Sequence, residues 1–289
     1  MSRRSPACVT KEEAALNLDI QLIQNTRDKA MITRIITGMI LVLVTAVSAA
    51  EVPAGNPAPK DMQLFLLIGQ SNMAGRGKVE PQDQVTHPRI FMLTKEQQWV
   101  PSKDPVHFDK SGAGVGPCSE FARVLASNDT AMTIGLIPCA AGGTPLSAWM
   151  PGDKPNSLYS NAVTRARESM KSGTLAGILW HQGESDARDP ALVASYVSRF
   201  TSMIAQLRRD LDADAVPVLV GELGWFWRDN AKHSFHGDFN KIIHLIPDSV
   251  PNCAWVSAKD CGTDGLHFKT PDARKFGRNY AEKYLKLVR

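Results

Sequence analysis

Two short polar segments, far apart in the chain, carry residue types that can hydrolyse an ester through a serine nucleophile. Gly69-Gln70-Ser71-Asn72 offers the hydroxyl of Ser71, and Asp264-Gly265-Leu266-His267 offers the imidazole of His267. Acyl transfer needs a nucleophile, a base that takes its proton, a group that orients the base, and donors for the developing oxyanion. The sequence therefore contains the side chains of a Ser–His–acid site.

Two carboxylates are candidates for the acid that orients His267. Asp264 stands three residues earlier in the same predicted turn, so it can reach the second ring nitrogen of the imidazole. Glu184, in His181-Gln182-Gly183-Glu184-Ser185, could take the same role from another turn. Sequence adjacency favours Asp264. Glu184 is then expected to hold the Gln182 segment by accepting backbone hydrogen bonds.

Backbone and amide groups are candidates for the oxyanion donors. The backbone N–H groups of Ser71 and Gly143 and the side-chain amide of Gln182 are expected to bind the oxyanion. Gly142-Gly143 lets the backbone approach a substrate closely, although a tight turn alone would explain two glycines. A solvated loop would likewise explain Gln182. Supporting or substrate contacts are expected from five further residues: Gln70, Asn72, Gly142, Glu184 and Trp149.

Each of these segments follows a predicted strand. Residues 62–68 are almost continuously apolar and end at Gly69, which is typical of a buried strand. Strands and helices alternate along the chain, and this pattern predicts a parallel sheet with helices on both faces. Ligands bind at the carboxyl edge of such sheets, where every candidate polar cluster falls. The five core strands are predicted at 62–68, 131–137, 175–180, 216–221 and 253–257.

The segments between the strands are predicted to be mainly helical. Two strand-like pieces, 90–93 and 98–100, are expected to pair as a small hairpin after the first strand. The glycine-rich segment 111–116 does not match a dinucleotide-binding fingerprint, because Pro117 occupies its last position and no strand precedes it. Helices are predicted at 117–127, 156–171, 190–210, 231–246 and 271–287.

The N-terminal region differs from the rest of the chain. Arg34 precedes an apolar run, and small residues follow it, which is typical of a signal peptide at 31–50 that is cleaved near Ala49 or Ala50. This pattern predicts an exported protein, periplasmic or secreted. A membrane anchor at 35–50 is the alternative, although the run is shorter than the roughly 20 apolar residues of a typical span.

This signal divides the chain into four predicted parts. Met31 fits a true start of translation, so residues 1–30 are interpreted as an over-extended, disordered N-terminus. Residues 51–60 contain three prolines and are interpreted as a linker. The remaining residues, 61–289, are long enough for one large catalytic domain.

Composition and cysteine spacing limit the other classes. The chain is 43% hydrophobic and 21% charged with a net charge of +4, and its basic residues form no runs, so a nucleic-acid partner is not expected. His233-x-x-His236 lacks a third ligand at matched spacing, so no metal is expected. Four cysteines follow the signal: Cys118, Cys139, Cys253 and Cys261. An exported protein permits disulfides, and Cys253–Cys261 is the favoured pair, with four buried thiols as the alternative.

Four ordered motifs together resemble the SGNH-hydrolase superfamily, and most closely its sialate O-acetylesterase and acetylxylan esterase branch, carbohydrate esterase family 6. The first motif is Gly69-Gln70-Ser71-Asn72-Met73-Ala74-Gly75. The others are Gly142-Gly143-Thr144, His181-Gln182-Gly183-Glu184-Ser185 and Asp264-Gly265-Leu266-His267. The resemblance implies a flavodoxin-like three-layer α/β/α sandwich, with a five-stranded parallel sheet, that removes O-acetyl groups from sugars without a metal or other cofactor. It also implies a triad of Ser71, Asp264 and His267, with oxyanion positions at Gly143 and Gln182.

The expected substrate is therefore an acetylated carbohydrate, and no membrane partner is expected beyond the export signal. An SGNH lipase or thioesterase is the enzymatic alternative, and a catalytically silent carbohydrate-binding protein is the alternative from another class. Trp149 and residues 225–227 could supply aromatic faces for a sugar, although core packing explains them equally well. The sequence carries no signal for an oligomeric state.

Overall fold

A single seven-stranded sheet forms the centre of the domain in the structure, a computed structural model that describes residues 60–152, 154–227, 235–263 and 265–289. The strand order across the sheet is β3-β2-β4-β1-β5-β6-β7. All neighbouring strands pair in parallel except β3, which is antiparallel to β2. The strands are β1 (Met62–Gly69), β2 (Ile90–Leu93), β3 (Trp99–Pro101), β4 (Ile134–Pro138), β5 (Gly173–His181), β6 (Val218–Gly221) and β7 (Cys253–Val256).

The five predicted core strands are β1, β4, β5, β6 and β7. Numbered along the chain, they lie in the order 2-1-3-4-5, which is the flavodoxin-like order. The predicted strand count of five was wrong for the whole sheet. The predicted hairpin does form, with Leu93 opposite Trp99, and it extends the sheet because Ile90 of β2 pairs with Ile134 of β4.

Helices cover both faces of the sheet. Their bounds are α1 (Ser71–Ala74), α2 (Cys118–Asn128), α3 (Leu158–Ser169), α4 (Pro190–Asp210), α5 (His236–Ser249) and α6 (Thr270–Leu287). Buried residues of α3, α4 and α5 share one apolar cluster, and those of α2 and α6 share the other. The domain is therefore the predicted α/β/α sandwich. The described residues also form five short 3₁₀ turns: four lie in the segments that follow β1, β4, β5 and β6, and one, Met170–Ser172, joins α3 to β5.

The two cores meet at β1, whose side chains alternate between them. Leu64 and Leu66 pack into the cluster under α3, α4 and α5, while Phe65 and Leu67 pack under α2 and α6. All four are fully buried. Burying such a side chain stabilises the fold by roughly 1.5–3 kcal/mol. The central strand is therefore held tightly, and it fixes the position of the turn that follows it.

The expected disulfide between Cys253 and Cys261 is absent from the structure. Both thiols are free, as are those of Cys118 and Cys139. Cys253 packs into the core on one face of the sheet and Cys261 into the core on the other, so the sheet separates them. Burial raises the pKa of both thiols to about 12, and they are therefore inert at neutral pH.

The predictions for the N-terminal region concern residues 1–59, which lie outside the described residues. The signal peptide, the membrane-anchor alternative and most of the linker therefore stay predictions. Among the helices that the structure describes, none is both long enough and apolar enough to cross a membrane.

Candidate active site

The turn after β1 presents Ser71 at the carboxyl edge of the sheet. Gly69 has φ +134°, and an added Cβ there would lie 2.1 Å from the carbonyl oxygen of His181 on the neighbouring strand, so only glycine fits. Ser71 is the first residue of α1 and does not cap it. Its Oγ lies 3.1 Å from Nε2 of His267, which comes from a loop 196 positions later. The structure thus brings the predicted nucleophile and base within hydrogen-bond distance.

Asn72 ties three parts of the site together. Its side-chain Nδ2 donates to Oε1 of Glu184 at 2.7 Å, and its Oδ1 accepts from the backbone N–H of Phe268 at 3.2 Å. Phe268 directly follows His267, so this second hydrogen bond fixes the histidine loop against the serine turn. The expectation that Asn72 supports the site therefore has a specific structural basis.

The two candidate acids have different environments. Asp264 lies outside the described residues, so its place at the imidazole stays a prediction. Glu184 is buried, accepts the Asn72 amide, and has Oε1 3.7 Å from Nδ1 of His181. Among the contacts that the described residues make, its partner is thus a side-chain amide and not the backbone N–H groups that were expected.

A partly buried ion pair holds the turn after β4. Asp109 Oδ2 accepts the backbone N–H of Gly142 at 2.8 Å, and Arg76 donates to both oxygens of Asp109 at 2.6 and 3.2 Å. Burial of Asp109 opposes ionisation, but the hydrogen bonds from Arg76 and Gly142 outweigh it and hold the pKa of this carboxyl below its ordinary value. Arg76 and Asp109 were not among the residues predicted from the sequence.

Two backbone N–H groups at or near Ser71 are candidate donors to an oxyanion. Gly142 uses its own N–H for Asp109, whereas the N–H groups of Ser71 and Gly143 have no acceptor within the described part of the chain. Gly143 has φ +80° and nothing within 4 Å of an added Cβ, so the space that a side chain would occupy there is open. This arrangement fits the predicted donors Ser71 and Gly143.

The amide of Gln182 is fully buried and fully engaged. Its Nε2 donates to Asp186 Oδ2 at 2.7 Å, to the Thr144 carbonyl at 3.1 Å and to Gln70 Oε1 at 3.2 Å. Its Oε1 accepts the Tyr196 hydroxyl at 2.9 Å. Two amide hydrogens thus serve three acceptors, and Gln182 buttresses both the Gly142–Thr144 turn and Gln70. Its predicted donation to an oxyanion stays a prediction.

The aromatic residues near the site support it through ring packing and hydrogen bonds. Trp149 is buried, packs edge-on against Trp180 at a ring separation of 5.6 Å, and donates its Nε1 to Thr144 Oγ1 at 3.1 Å. It therefore steadies the turn after β4 and is not placed to stack on a sugar. Trp225 donates to Glu222, and Phe226 packs against Phe268.

A pocket of about 250 Å³ opens above Ser71 and His267. Its walls include the side chains of Gln70, Asn72, Arg76, Glu184 and Ser185, the Gly142-Gly143 turn, and two exposed cations, Lys110 and Arg188. Among the described residues, Leu266 is the one large apolar side chain that lines it. The pocket is therefore small, and most of the side chains known to line it are polar. His236 lies outside it, and no three candidate metal ligands come together within the described residues, while His233 is not among them.

Comparisons with known proteins match almost the whole described domain. The family model for the carbohydrate esterases described as sialic acid-specific acetylesterase matches residues 61–286. A probable carbohydrate esterase of Arabidopsis thaliana is 31% identical over 253 residues, covering 80% of this chain and 92% of the relative. The crystal structure of an Arabidopsis thaliana protein superimposes with a TM-score of 0.70 at 29% identity, covering 78% of this chain and 98% of that one.

Two solved structures share the fold at lower identity. The crystal structure of NanS has a TM-score of 0.65 at 18% identity and covers 80% of this chain and 98% of its own. A carbohydrate acetylesterase from Xanthomonas citri has a TM-score of 0.57 at 19% identity, covering 76% of this chain and 55% of its own.

In this flavodoxin-like sandwich Ser71 and His267 are in contact at the carboxyl edge of the sheet, and the matching family is one of carbohydrate esterases. The chain is therefore a carboxylic ester hydrolase. The chain belongs to the carbohydrate esterase family of sialic acid-specific acetylesterases. The sequence-based identification of the SGNH sialate and acetylxylan esterase branch is confirmed.

Proposed function

We propose that this protein is a serine esterase that removes O-acetyl groups from carbohydrates through an acyl-enzyme on Ser71. The observation that carries the proposal is the 3.1 Å separation of Ser71 Oγ and His267 Nε2 above the carboxyl edge of the sheet. A base within 2.6–3.2 Å of a hydroxyl is placed to take its proton, as general-base catalysis requires.

The reaction follows from this placement. His267 takes the Ser71 proton while Oγ attacks the acetyl carbonyl carbon, and the negative oxygen accepts from the N–H groups of Ser71 and Gly143. Collapse of this intermediate breaks the ester bond, and the imidazolium returns its proton to the departing sugar oxygen. A water, deprotonated by His267, then attacks the acetyl-Ser71 carbonyl, and acetate leaves as the Ser71 hydroxyl reforms.

Two further groups complete the proposed machinery. Asp264 orients His267 and stabilises the imidazolium by accepting from the second ring nitrogen. Gln182 becomes a third oxyanion donor when its Nε2 gives up the hydrogen bond to Gln70 Oε1, which at 3.2 Å is the longest of its three. Each oxyanion donor is worth roughly 3 kcal/mol of barrier, so even one such exchange would change the rate strongly.

The size and polarity of the pocket favour acetyl esters. Within the described residues, a volume of about 250 Å³ with Leu266 as the one large apolar lining side chain gives no extended apolar wall for a fatty acyl chain. A lipase or thioesterase would need such a wall, because long acyl groups are bound by burying apolar surface. The polar lining suits a sugar hydroxyl and a two-carbon acyl group.

The test is hydrolysis of p-nitrophenyl acetate, followed by acetate release from acetylxylan, acetylated sialic acid and acetylated monosaccharides. Ser71→Ala is expected to lose at least about 1,000-fold in kcat/KM. Ser202→Ala, at an exposed serine of helix α4 that lines neither this pocket nor the other cavity beside it, is the matched control and keeps the wild-type rate. A Ser71→Ala enzyme that retains turnover would overturn the mechanism. A wild-type protein that binds acetylated sugars without releasing acetate would instead support the silent binding protein.

The N-terminal pattern supports a second, separable proposal, that the protein is exported and processed. Residues 31–50 then act as a signal peptide, and the mature chain begins near residue 50 or 51 with a linker before the esterase domain at 61–289. Sequencing the N-terminus of the protein recovered from the exported fraction tests this. A full-length N-terminus retained in the membrane fraction would support an anchor at 35–50 instead.

A further inference from the structure

A second cavity lies beside the catalytic pocket and is larger than it. Its volume is about 620 Å³, within the range of small-molecule binding sites. The end of β4 and the turn after it, Pro138–Ala141, form one side, and the first turns of α3 form another. Because this cavity is distinct from the pocket above Ser71, hydrolysis of the acetyl group alone does not account for it.

The two cavities share a wall. Asp109 lines the second cavity, and its carboxylate holds both Arg76 and the backbone of Gly142, which line the catalytic pocket. The two chain neighbours of Asp109 lie on opposite sides of this wall: Phe108 lines the second cavity, and Lys110 lines the catalytic pocket. Two chain positions span at most about 7 Å, so a ligand of a few sugar units reaches both.

Phe108 gives this cavity an aromatic surface. It is 43% exposed and is the one aromatic ring among the large apolar side chains that are exposed in the described residues. The guanidinium of Arg165 lies 5.0 Å from its ring centroid, and Arg165 Nη2 in turn donates to the carbonyls of Leu93 and Thr94. The ring is therefore held in place before any ligand arrives, which lowers the entropic cost of binding.

Uncharged polar side chains add hydrogen-bond donors and acceptors to the lining. The amides of Gln97, Asn156 and Asn161 and the hydroxyl of Thr164 all belong to it. Gln97 lies in the turn between β2 and β3, and Asn156 lies just before α3, so both belong to short turns beside regular elements.

We propose that this cavity is a saccharide subsite that binds the sugar units next to the acetylated one in an oligosaccharide. A sugar ring offers an apolar face to an aromatic ring and hydroxyl groups to amides, which is the combination that Phe108, Gln97, Asn156 and Asn161 provide. The link to catalysis rests on the proposed esterase function. The enzyme accordingly prefers acetylated oligosaccharides to acetylated monosaccharides.

Steady-state kinetics test this preference. The substrates are acetylated xylotetraose, acetylated mannotetraose and an O-acetylated sialyl oligosaccharide, each compared with its acetylated monosaccharide. Wild type is expected to favour the longer member of at least one pair in kcat/KM. Phe108→Ala is expected to reduce that preference about fivefold through a higher KM, and Phe108→Trp to restore it. Leu245→Ala removes another exposed apolar side chain, one that lines neither cavity, and keeps the preference.

Calorimetry with the unacetylated oligosaccharides separates this subsite from the esterase activity. Ser71→Ala protein is expected to bind one of them, and Ser71→Ala/Phe108→Ala protein to bind it about fivefold more weakly. Equal binding by both proteins, or no binding of any oligosaccharide, would overturn the subsite. Absence of acetate release by wild type would contradict the proposed function alone, since the calorimetric comparison does not depend on turnover.

Discussion

Arg76 and Asp109 form a two-point ion pair whose carboxylate also accepts the backbone N–H of Gly142. Both side chains are mostly buried, so the pair is protected from solvent screening. The turn that carries the proposed oxyanion donor Gly143 is thus positioned by residues 33 and 66 positions before Gly142. Loss of either partner would leave a buried charge unpaired, which is costly.

Replacement of Arg76 is expected to lower kcat more than it raises KM. Arg76→Ala leaves Asp109 without its cation, so the turn at Gly142 loosens and the Gly143 N–H is no longer held for the transition state. We expect a loss of about 10- to 100-fold in kcat on p-nitrophenyl acetate. Arg76→Lys keeps the charge but not the two-point geometry, so its kcat is expected to lie between those of wild type and Arg76→Ala. An unchanged kcat in Arg76→Ala would contradict this role.

Substitution at Gly142 tests the same turn by steric means. An added Cβ would lie 2.5 Å from Arg76 Nη2 and 3.1 Å from Asp109 Oδ2, so Gly142→Ala must displace the ion pair. We expect kcat to fall by about 10-fold or more while the protein remains folded by circular dichroism. Gly152→Ala meets nothing within 4 Å and is the matched control. Equal rates for the two variants would show that the ion pair does not position the turn.

The identity of the triad acid is tested by two conservative amide substitutions. Asp264→Asn is expected to reduce kcat by about 10,000-fold, because the amide would favour the wrong imidazole tautomer. Glu184→Gln changes the acceptor of Asn72 and is expected to cost less, about 10-fold, through the loop that carries His267. Measured kcat values in the opposite order would assign the acid to Glu184.

Two buried groups, His107 in the wall of the second cavity and Asp104 three residues before it, make opposite contributions to stability as pH changes. Burial lowers the pKa of His107 to about 4, so between pH 6.5 and 4 the unfolded chain binds a proton there that the folded chain does not. The stability that the folded state gains while His107 is neutral is therefore lost as pH falls. Burial raises the pKa of Asp104 to about 7, so between pH 3.8 and 7 the folded chain keeps a proton that the unfolded chain loses. This contribution is lost as pH rises.

Single variants are expected to separate these two contributions. Relative to wild type, the unfolding free energy of His107→Gln should fall from pH 4 to pH 6.5, and that of Asp104→Asn should rise over the same interval. Each difference is on the order of 3 kcal/mol, from a shift of two to three pKa units. Urea titrations at four pH values within the interval measure both. Parallel curves for wild type and both variants would contradict the burial of these groups.

The sequence predicted the elements that are governed by local pattern. The apolar run at 62–68 and its terminal Gly69 marked β1 because a buried central strand has no polar face, and helix α4 matched its predicted bounds of 190–210. Ser71 and His267 could be paired in advance because each follows a strand at the same edge of a parallel sheet. Their contact was thus predictable from topology, although their catalytic roles stay predictions.

Other features depend on long-range packing that no local pattern reveals. Arg76 and Asp109 lie in irregular chain, and nothing in their spacing indicates that the segment 78–117 folds back onto the turn after β4. The hairpin of β2 and β3 was visible, but its attachment to β4 was not. Cys253 and Cys261 are close in sequence, yet the sheet passes between them, so sequence proximity gave the wrong pair.

The separation of Ser71 and His267 by 196 positions has a consequence for biosynthesis. The proposed nucleophile leaves the ribosome early, while its proposed base arrives near the end, after all seven strands have been made and shortly before the last helix. A nascent or C-terminally shortened chain that stops before residue 264 therefore has its serine but lacks the imidazole. The hydroxyl stays an ordinary, unreactive alcohol until translation is nearly complete.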